Sequence, residues 1–126
     1  PTSQSITWAK GKKDQMTIEL TNSIENEDIT KEILEEAAEH QFFFLGPVFD
    51  SNIFSIQYAD AGGIALGLKN TVTVSSSTGT NNSSMRVVLR HDLNKSFAGA
   101  NNPTFANFVQ AGGETDLDIT FPVILN

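Results

Sequence analysis

The sequence contains no cysteine, one tryptophan, one tyrosine and no long apolar run. Without cysteine the chain has no disulfide, no thiolate metal site and no cysteine nucleophile. No apolar stretch approaches the roughly 18 residues of a membrane-spanning helix, and the first residues lack the basic and apolar regions of a signal peptide. We therefore expect contact with a membrane only through a lipid anchor that these 126 residues do not include.

Basic residues are also few, because 8 Lys and Arg stand against 15 Asp and Glu, for a formal net charge of −7. Residues 25–39 hold seven of the acids and one base, so this segment alone carries −6 of the −7. The one basic cluster is Lys10, Lys12 and Lys13. This cluster is short, and a chain with a net negative charge repels the phosphates of nucleic acid. Nucleic acid is therefore not an expected partner.

Residues 1–126 are predicted to form one domain, which is long enough to enclose a hydrophobic core. Most of the chain alternates apolar and polar residues, the pattern of half-buried strands, most clearly at 16–20 and 117–125. The other candidate strands are residues 41–45, 53–58, 64–68, 71–75 and 85–90. About seven short strands predict a mostly antiparallel β-sandwich, immunoglobulin-like or related, with Pro122 at an edge or bulge.

Residues 28–39 predict one short amphipathic acidic helix between early strands, with Asn26 or Asp28 as its N-terminal cap. Several acids lie four residues apart, and each such pair is unfavourable by about 0.2–0.5 kcal/mol. The helix should therefore depend on packing of its apolar side against the sheet. The residues on that side are Ile29, Ile33, Leu34, Ala37 and Ala38.

Two stretches differ from the strand pattern. Residues 75–84 are almost entirely Ser, Thr, Asn and Gly, which predicts a mobile hairpin loop. Residues 92–115 are rich in Asn, Ala and Gly. They predict a long connection that Phe97, Phe105 and Phe108 anchor to the domain.

The two histidines, His40 and His91, are the first candidates for catalysis. His91 precedes Asp92, but neighbouring residues on a strand point to opposite faces, so adjacency alone does not make a His/Asp pair. The sequence has no Gly-x-Ser-x-Gly, His-Glu-x-x-His or phosphate-binding glycine motif. We therefore assign no catalytic residue.

Three carboxylates, Glu114, Asp116 and Asp118, recur at period two beside a Gly-Gly turn. On a strand they would share one face, and such hard oxygen ligands suit Ca²⁺. They are our candidate calcium ligands, and no other cofactor is expected. The alternative is that they form the solvent face of a strand whose other face is apolar.

Glycan binding usually needs exposed aromatic residues, and the sequence offers two candidates, Trp8 and Tyr58. The nine phenylalanines mostly occupy positions that the alternation assigns to the core. Trp8 shares a strand face with Ile6, which favours packing in the core or at an edge.

The chain carries three short motifs within residues 29–90: Ile29-Thr30-Lys31-Glu32-Ile33-Leu34-Glu35, Phe42-Phe43-Phe44-Leu45 and Met85-Arg86-Val87-Val88-Leu89. In this arrangement it resembles the small lipoproteins of Bacteroidota that hold a β-sandwich domain of unknown function. The resemblance implies an exported protein of the cell envelope or outer-membrane surface, and it supplies no active site. One departure is that residues 37–40 stand where those proteins tend to carry a glycine turn.

We therefore expect a noncatalytic cell-envelope domain that binds a protein or a glycan, or that has a structural role. Two alternatives stay open. One is a hydrolase with a carboxylate pair, which needs two acids facing each other in a concave pocket. The other is an assembly subunit whose final strand, residues 116–125, pairs with the edge of another chain.

Overall fold

The computed structural model describes residues 5–22, 27–76, 79 and 81–126. Within these ranges the chain forms two short α-helices, α1 (Ile29–Glu35) and α2 (Pro47–Asp50), and two 3₁₀ turns. The strands are β1 (Ile6–Trp8), β2 (Lys13–Thr17), β3 (Thr21–Asn22), β4 (Glu27–Asp28), β5 (His40–Leu45), β6 (Phe54–Tyr58), β7 (Lys69–Val74), β8 (Asn82–His91) and β9 (Glu114–Leu125). Neither helix of this described part is long and apolar enough to cross a membrane.

Two sheets share one apolar core. The long sheet has the strand order β1-β9-β8-β5, the short sheet has the order β2-β7-β6, and a two-residue ladder joins β3 to β4. Every pairing in the two sheets is antiparallel except that of β1 with β9, which is parallel. The predicted mostly antiparallel β-sandwich of about seven strands is confirmed, with four strands against three. An immunoglobulin-like topology stays a prediction.

The core between the sheets comes from alternate residues of facing strands, as the period-two pattern predicts. In β6 and β7 every second residue is buried, while the residues between them are more exposed. The long sheet supplies the opposite wall. The main contributors are Phe42, Phe44, Phe54, Ile56, Val72, Val74, Val87 and Leu89.

β5 is buried on both faces, so its three consecutive phenylalanines are all fully buried. Phe42 and Phe44 face the core between the sheets. Phe43 points to the other side, where its ring stacks on that of Phe108 at 5.4 Å between ring centres. The predicted anchored connection is therefore confirmed, because segment 93–111 lies over the outer face of the long sheet and completes a second apolar cluster.

Helix α1 is shorter than predicted and ends after two turns. The Asp28 side chain caps it by accepting the Lys31 N–H at 3.2 Å, whereas the alternative cap Asn26 lies outside the described residues. Ile33 is 3% exposed, but Leu34 is 59% exposed, so the prediction that Leu34 faces the sheet was wrong. Residues 36–39 form turns, and the packed side consists of Ile29 and Ile33, one turn apart, with Ala37 beyond them. Ala38 is exposed, so its predicted place on that side was also wrong.

The predicted strand at 64–68 was also wrong. This segment is irregular, and β7 begins only at Lys69. The Asp60 carboxylate accepts the N–H groups of Gly67 at 2.7 Å and Lys69 at 3.1 Å, which holds the segment as a loop. Gly67 has a φ of +100°, and a Cβ there would lie 2.8 Å from the Cβ of Phe42, so the loop requires glycine.

The polar stretch predicted as a loop at 75–84 is partly strand. β8 begins at Asn82, and residues 82–84 pair in register with residues 122–124 of β9. A strand partner therefore overrides the low strand propensity of Asn and Ser. Residues 77, 78 and 80 of the predicted loop lie outside the described residues.

Lys95 ties three loops together. Its Nζ donates to the carbonyl of Ala37 at 2.7 Å and to that of Ala65 at 2.9 Å. Burial lowers the pKa of Lys95, while the nearby charge of Asp60 acts in the opposite direction. Ala37 lies in the turn after α1 and Ala65 in the 64–68 loop, so this lysine joins both to the segment around residue 95.

Candidate binding site

The outer edge of β9 is only partly covered. β8 pairs with one side of β9 along its whole length, whereas the pairing of β1 with the other side covers residues 123–125 within the described part of the chain. From Glu114 to Ile119, no described strand pairs with that second side. Pro122 lies just before the residues that pair with β1, which agrees with its predicted place at an edge.

The edge of β2 is open in the same way. β2 pairs with β7 on one side, and none of the described strands pairs with its other side. Residues of β2 and β9 line a common groove, so the sandwich is open laterally between these two strands. We call this opening the seam.

The floor of the seam is apolar and half exposed. The apolar residues of β1, β2, β9 and segment 18–20 that line the groove are each only partly buried, because no described strand closes the opening above them. They surround a groove of about 280 Å³ whose base is formed by the buried side chains of Met85 and Val87. The half-buried residues are Ile6, Met16, Ile18, Leu20, Leu117, Ile119 and Phe121.

One end of the seam is polar. A second cavity of about 310 Å³ shares Leu20 and Leu117 with the apolar groove and continues toward α1. Its polar lining comes from Glu32, Glu36, His40 and Asp116. Among the described residues that line the two cavities there is no Lys or Arg. The seam therefore runs from an apolar stretch into an acidic end.

Two histidines and an aspartate meet at this end. His40 of β5 and His91 of β8 are paired across the long sheet, with their ring centres 6.1 Å apart. Asp116 places Oδ1 2.7 Å from His91 Nδ1 and Oδ2 3.8 Å from His40 Nε2. His91 Nδ1 is buried and makes no aligned hydrogen bond to a described residue, so its contact with Asp116 is one of proximity and charge.

A β-bulge places Asp116 in this position. Leu89 pairs with Leu117 but Arg90 pairs with Thr115, so Asp116 is the extra residue of β9. Bulges re-aim side chains and interrupt the alternation of faces. Sequence reasoning missed this cluster because neither the pairing of β5 with β8 nor the bulge leaves a signal in a single sequence.

The bulge also separates the three candidate calcium ligands. Asp118 forms a two-pronged hydrogen-bonded pair with Arg86, at 2.8 and 2.7 Å, and the pKa of Asp118 is lowered mainly by these bonds. Asp116 lies against His91, and Glu114 lies 3.8 Å from His91 Nε2. Within the described ranges, no group of three His, Asp or Glu side chains is arranged to hold a metal ion.

Neither candidate aromatic residue presents an open ring face. Trp8 is 8% exposed and packs edge-on against Phe54, with 5.0 Å between ring centres. The Tyr58 hydroxyl donates to the carbonyl of Phe42 at 2.5 Å and accepts from Gln41 Nε2 at 3.0 Å. Burial raises the pKa of Tyr58 above its ordinary value. Both rings therefore serve packing, and the open surface lies at the seam instead.

Comparison with family models, with curated proteins and with solved structures gives no match to this chain. The resemblance to envelope lipoproteins therefore stays a prediction, and function must be argued from the geometry of the seam.

Proposed function

We propose that this chain is a noncatalytic protein-binding domain that holds an extended segment of a partner protein in the seam. The observation that carries the proposal is the edge of β9 from Glu114 to Ile119, with which no strand of the described residues pairs and which lies beside an apolar groove. An uncovered strand edge offers a row of backbone N–H and C=O groups to another chain. Alternate side chains of that chain then enter pockets along the edge.

A protein partner fits this surface better than a glycan. Glycan recognition relies on exposed aromatic faces, and both Trp8 and Tyr58 are engaged in packing. The seam instead offers aliphatic side chains and one partly buried phenylalanine, Phe121. These surfaces favour apolar side chains over sugar rings.

A hydrolase is the second candidate, and the acidic end of the seam favours it because His40 and Asp116 lie 3.8 Å apart there. A carboxylate pair needs two acids that face each other, whereas Glu114 and Asp116 each lie beside His91 and Asp118 is bonded to Arg86. A panel of nitrophenyl esters and glycosides tests this candidate, with His40→Asn as the matched variant. We expect no turnover that depends on His40, and turnover lost in the variant would favour the hydrolase.

The envelope location is a further part of the proposal and is supported by the resemblance of residues 29–90 to exported lipoproteins. Fractionation of the source cells, followed by protease treatment of intact cells, tests it. We expect the protein in the envelope fraction. Recovery only with cytoplasmic markers would remove this part and leave the binding proposal unchanged.

The binding proposal is tested by selecting random linear peptides on the purified domain. Ile119→Glu places a charge in the groove, whereas Ile124→Glu makes the same change on the same strand at a residue that is 37% exposed and outside the groove. We expect peptides that bind the wild type and Ile124→Glu but not Ile119→Glu. Thermal melts of both variants establish that they are folded. Failure to enrich any peptide that depends on Ile119 would contradict the proposal.

A further inference from the structure

The open edge of β9 already accepts a strand at one end. β1 pairs there in parallel, with Ile6 opposite Val123 and Trp8 opposite Leu125. A segment lying beside residues 114–119 would continue on the same side of β9 and extend the long sheet. Its backbone would lie about 4.8 Å from that of β9, as in any pair of strands.

The dimensions of the seam limit the occupant to a short extended segment. From Asp116 to Phe121 the strand spans about 17 Å, at a rise of roughly 3.3–3.4 Å per residue. The two cavities along it, about 280 and 310 Å³, are at the lower limit of pockets that enclose a small molecule. They suit a few side chains of a segment of about six residues, spaced two apart.

The charges along the seam select a cation. Glu19 borders the apolar groove, and Glu32, Glu36 and Asp116 line the polar end. No Lys or Arg among the described residues of either lining offsets them. The whole chain adds a net charge of −7, which speeds the approach of a cationic partner at low salt.

A second copy of this chain is the alternative occupant of the seam, but the net negative charge of both copies opposes their association. Two copies would each bring −7 to the contact. One of the copy's own basic residues is also engaged, since Lys10 Nζ donates to Asn81 Oδ1 at 2.9 Å. The charge of the seam thus favours a different, basic chain.

We infer that the occupant of the seam is an extended basic segment that adds to β9 as a strand. Its apolar side chains alternate over the groove, and a Lys or Arg at one end lies among Glu32, Glu36 and Asp116. This inference rests on the proposed protein-binding function and names the chemistry of the partner. Backbone hydrogen bonds to residues 114–119 hold the segment, and the terminal cation sets its position.

Three synthetic peptides test the inference by fluorescence anisotropy. The first is Lys-Lys-Val-Thr-Val-Thr-Val-Thr, the second replaces both lysines by glutamate, and the third carries an N-methyl group on every backbone amide. We expect the lysine peptide to bind at least tenfold more tightly than the glutamate peptide and to weaken as salt is raised. The N-methylated peptide should lose binding, because its backbone can no longer donate to the edge of β9.

Two protein variants and one further measurement complete the test. Glu36→Gln should weaken the lysine peptide several-fold and should not weaken the glutamate peptide, whereas Ile119→Glu should abolish binding. Amide hydrogen exchange at residues 114–119 should slow when the lysine peptide is bound. Equal affinity for the lysine and glutamate peptides, or full binding of the N-methylated peptide, would overturn the inference.

The outcomes separate this inference from the proposed function. Selected peptides that depend on Ile119 but are neither basic nor alternating would leave the binding function in place and remove the partner chemistry. The absence of any Ile119-dependent peptide would remove both. Light scattering that finds a dimer, lost in Ile119→Glu, would identify a second copy as the occupant and overturn the basic partner.

Discussion

At the scale of single residues, Tyr58 gives a direct test of the packing between the sheets. Burial raises its pKa above the ordinary value of 10.0, so the fold favours the neutral phenol. Its contribution to stability is therefore present below pH 10 and is lost as the pH rises further. Because the chain has a single tyrosine, absorbance at 295 nm reports this group alone. We expect little phenolate signal in the native protein above pH 10, and phenolate that appears together with unfolding.

Tyr58→Phe is the matched change for this prediction. The Phe42 carbonyl would lose its contact with the hydroxyl, whereas Gln41 Nε2 would keep its bond to the Ala100 carbonyl at 2.6 Å. Leaving a buried acceptor without a partner costs about 1–3 kcal/mol. Urea unfolding measures this cost. Tyrosine that ionises near pH 10 in the folded protein would show instead that the hydroxyl is open to solvent.

The pair of Arg86 and Asp118 predicts how acid affects the domain. Hydrogen bonds from Arg86 lower the pKa of Asp118. The carboxylate therefore stabilises the fold at pH values above its ordinary pKa, and this stabilisation is lost as the pH falls through the lowered pKa. Both side chains are more than two-fifths exposed, so we expect less than about 1 kcal/mol. Arg86→Met should move the acid unfolding midpoint to higher pH. Asp118→Asn removes the same pair and should behave alike. A urea midpoint of Arg86→Met that equals the wild-type midpoint across pH 3–6 would contradict the prediction.

Individual functional residues could be singled out from the sequence, but their partners could not. Alternation predicts Asp116 and Asp118 on one strand face, but Asp116 is the extra residue of the bulge. It lies against His91, whereas Asp118 pairs with Arg86. His40 and His91 lie 51 positions apart in the chain and meet only because β5 pairs with β8 in one particular register. Pairing register is set by the whole fold, so a single sequence does not contain it in readable form.

At the scale of elements, α1 offers two adjacent residues with opposite surroundings. Ile33 is 3% exposed against the core, and Leu34 is 59% exposed. Ile33→Asp should cost about 2 kcal/mol or more, because it buries an unpaired charge. Leu34→Asp should cost less than about 0.5 kcal/mol. Both changes add the same charge to an acidic helix, so the difference between them in urea unfolding isolates packing. Equal losses would mean that the helix does not dock through Ile33.

The positions of β5 and β6 were readable from the sequence, but the burial of β5 on both faces was not, and the strand predicted at 16–20 is observed at Lys13–Thr17. β6 alternates clearly and was predicted within a residue of its start. The three phenylalanines of β5 carry no alternation, because segment 93–111 covers the second face. The extension of β8 through residues 82–84 depends on pairing with β9 rather than on local propensity.

At the scale of the whole molecule, part of the acidic segment lies beside the seam. The sequence places most of the net charge in residues 25–39, which suggested only a solvated helix face. In the fold, Glu32 and Glu36 of that segment stand at the polar end of the seam with Asp116 from β9. Residues that are 80 positions apart thus share one surface, and only the folded chain joins the acidic segment to the uncovered strand.

The position of β9 decides between a structural role and an assembly role for the final strand. β9 lies between β1 and β8 in the long sheet, and Val123 and Leu125 are buried in the core. A chain ending before Glu114 should therefore lose cooperative unfolding in urea and native circular dichroism. Val123→Asp, at a residue 1% exposed, should destabilise strongly, whereas Ile124→Asp, at one 37% exposed, should not. If the truncated chain instead remains a folded monomer in light scattering, β9 is not needed for folding. The strand would then be available to pair with another chain.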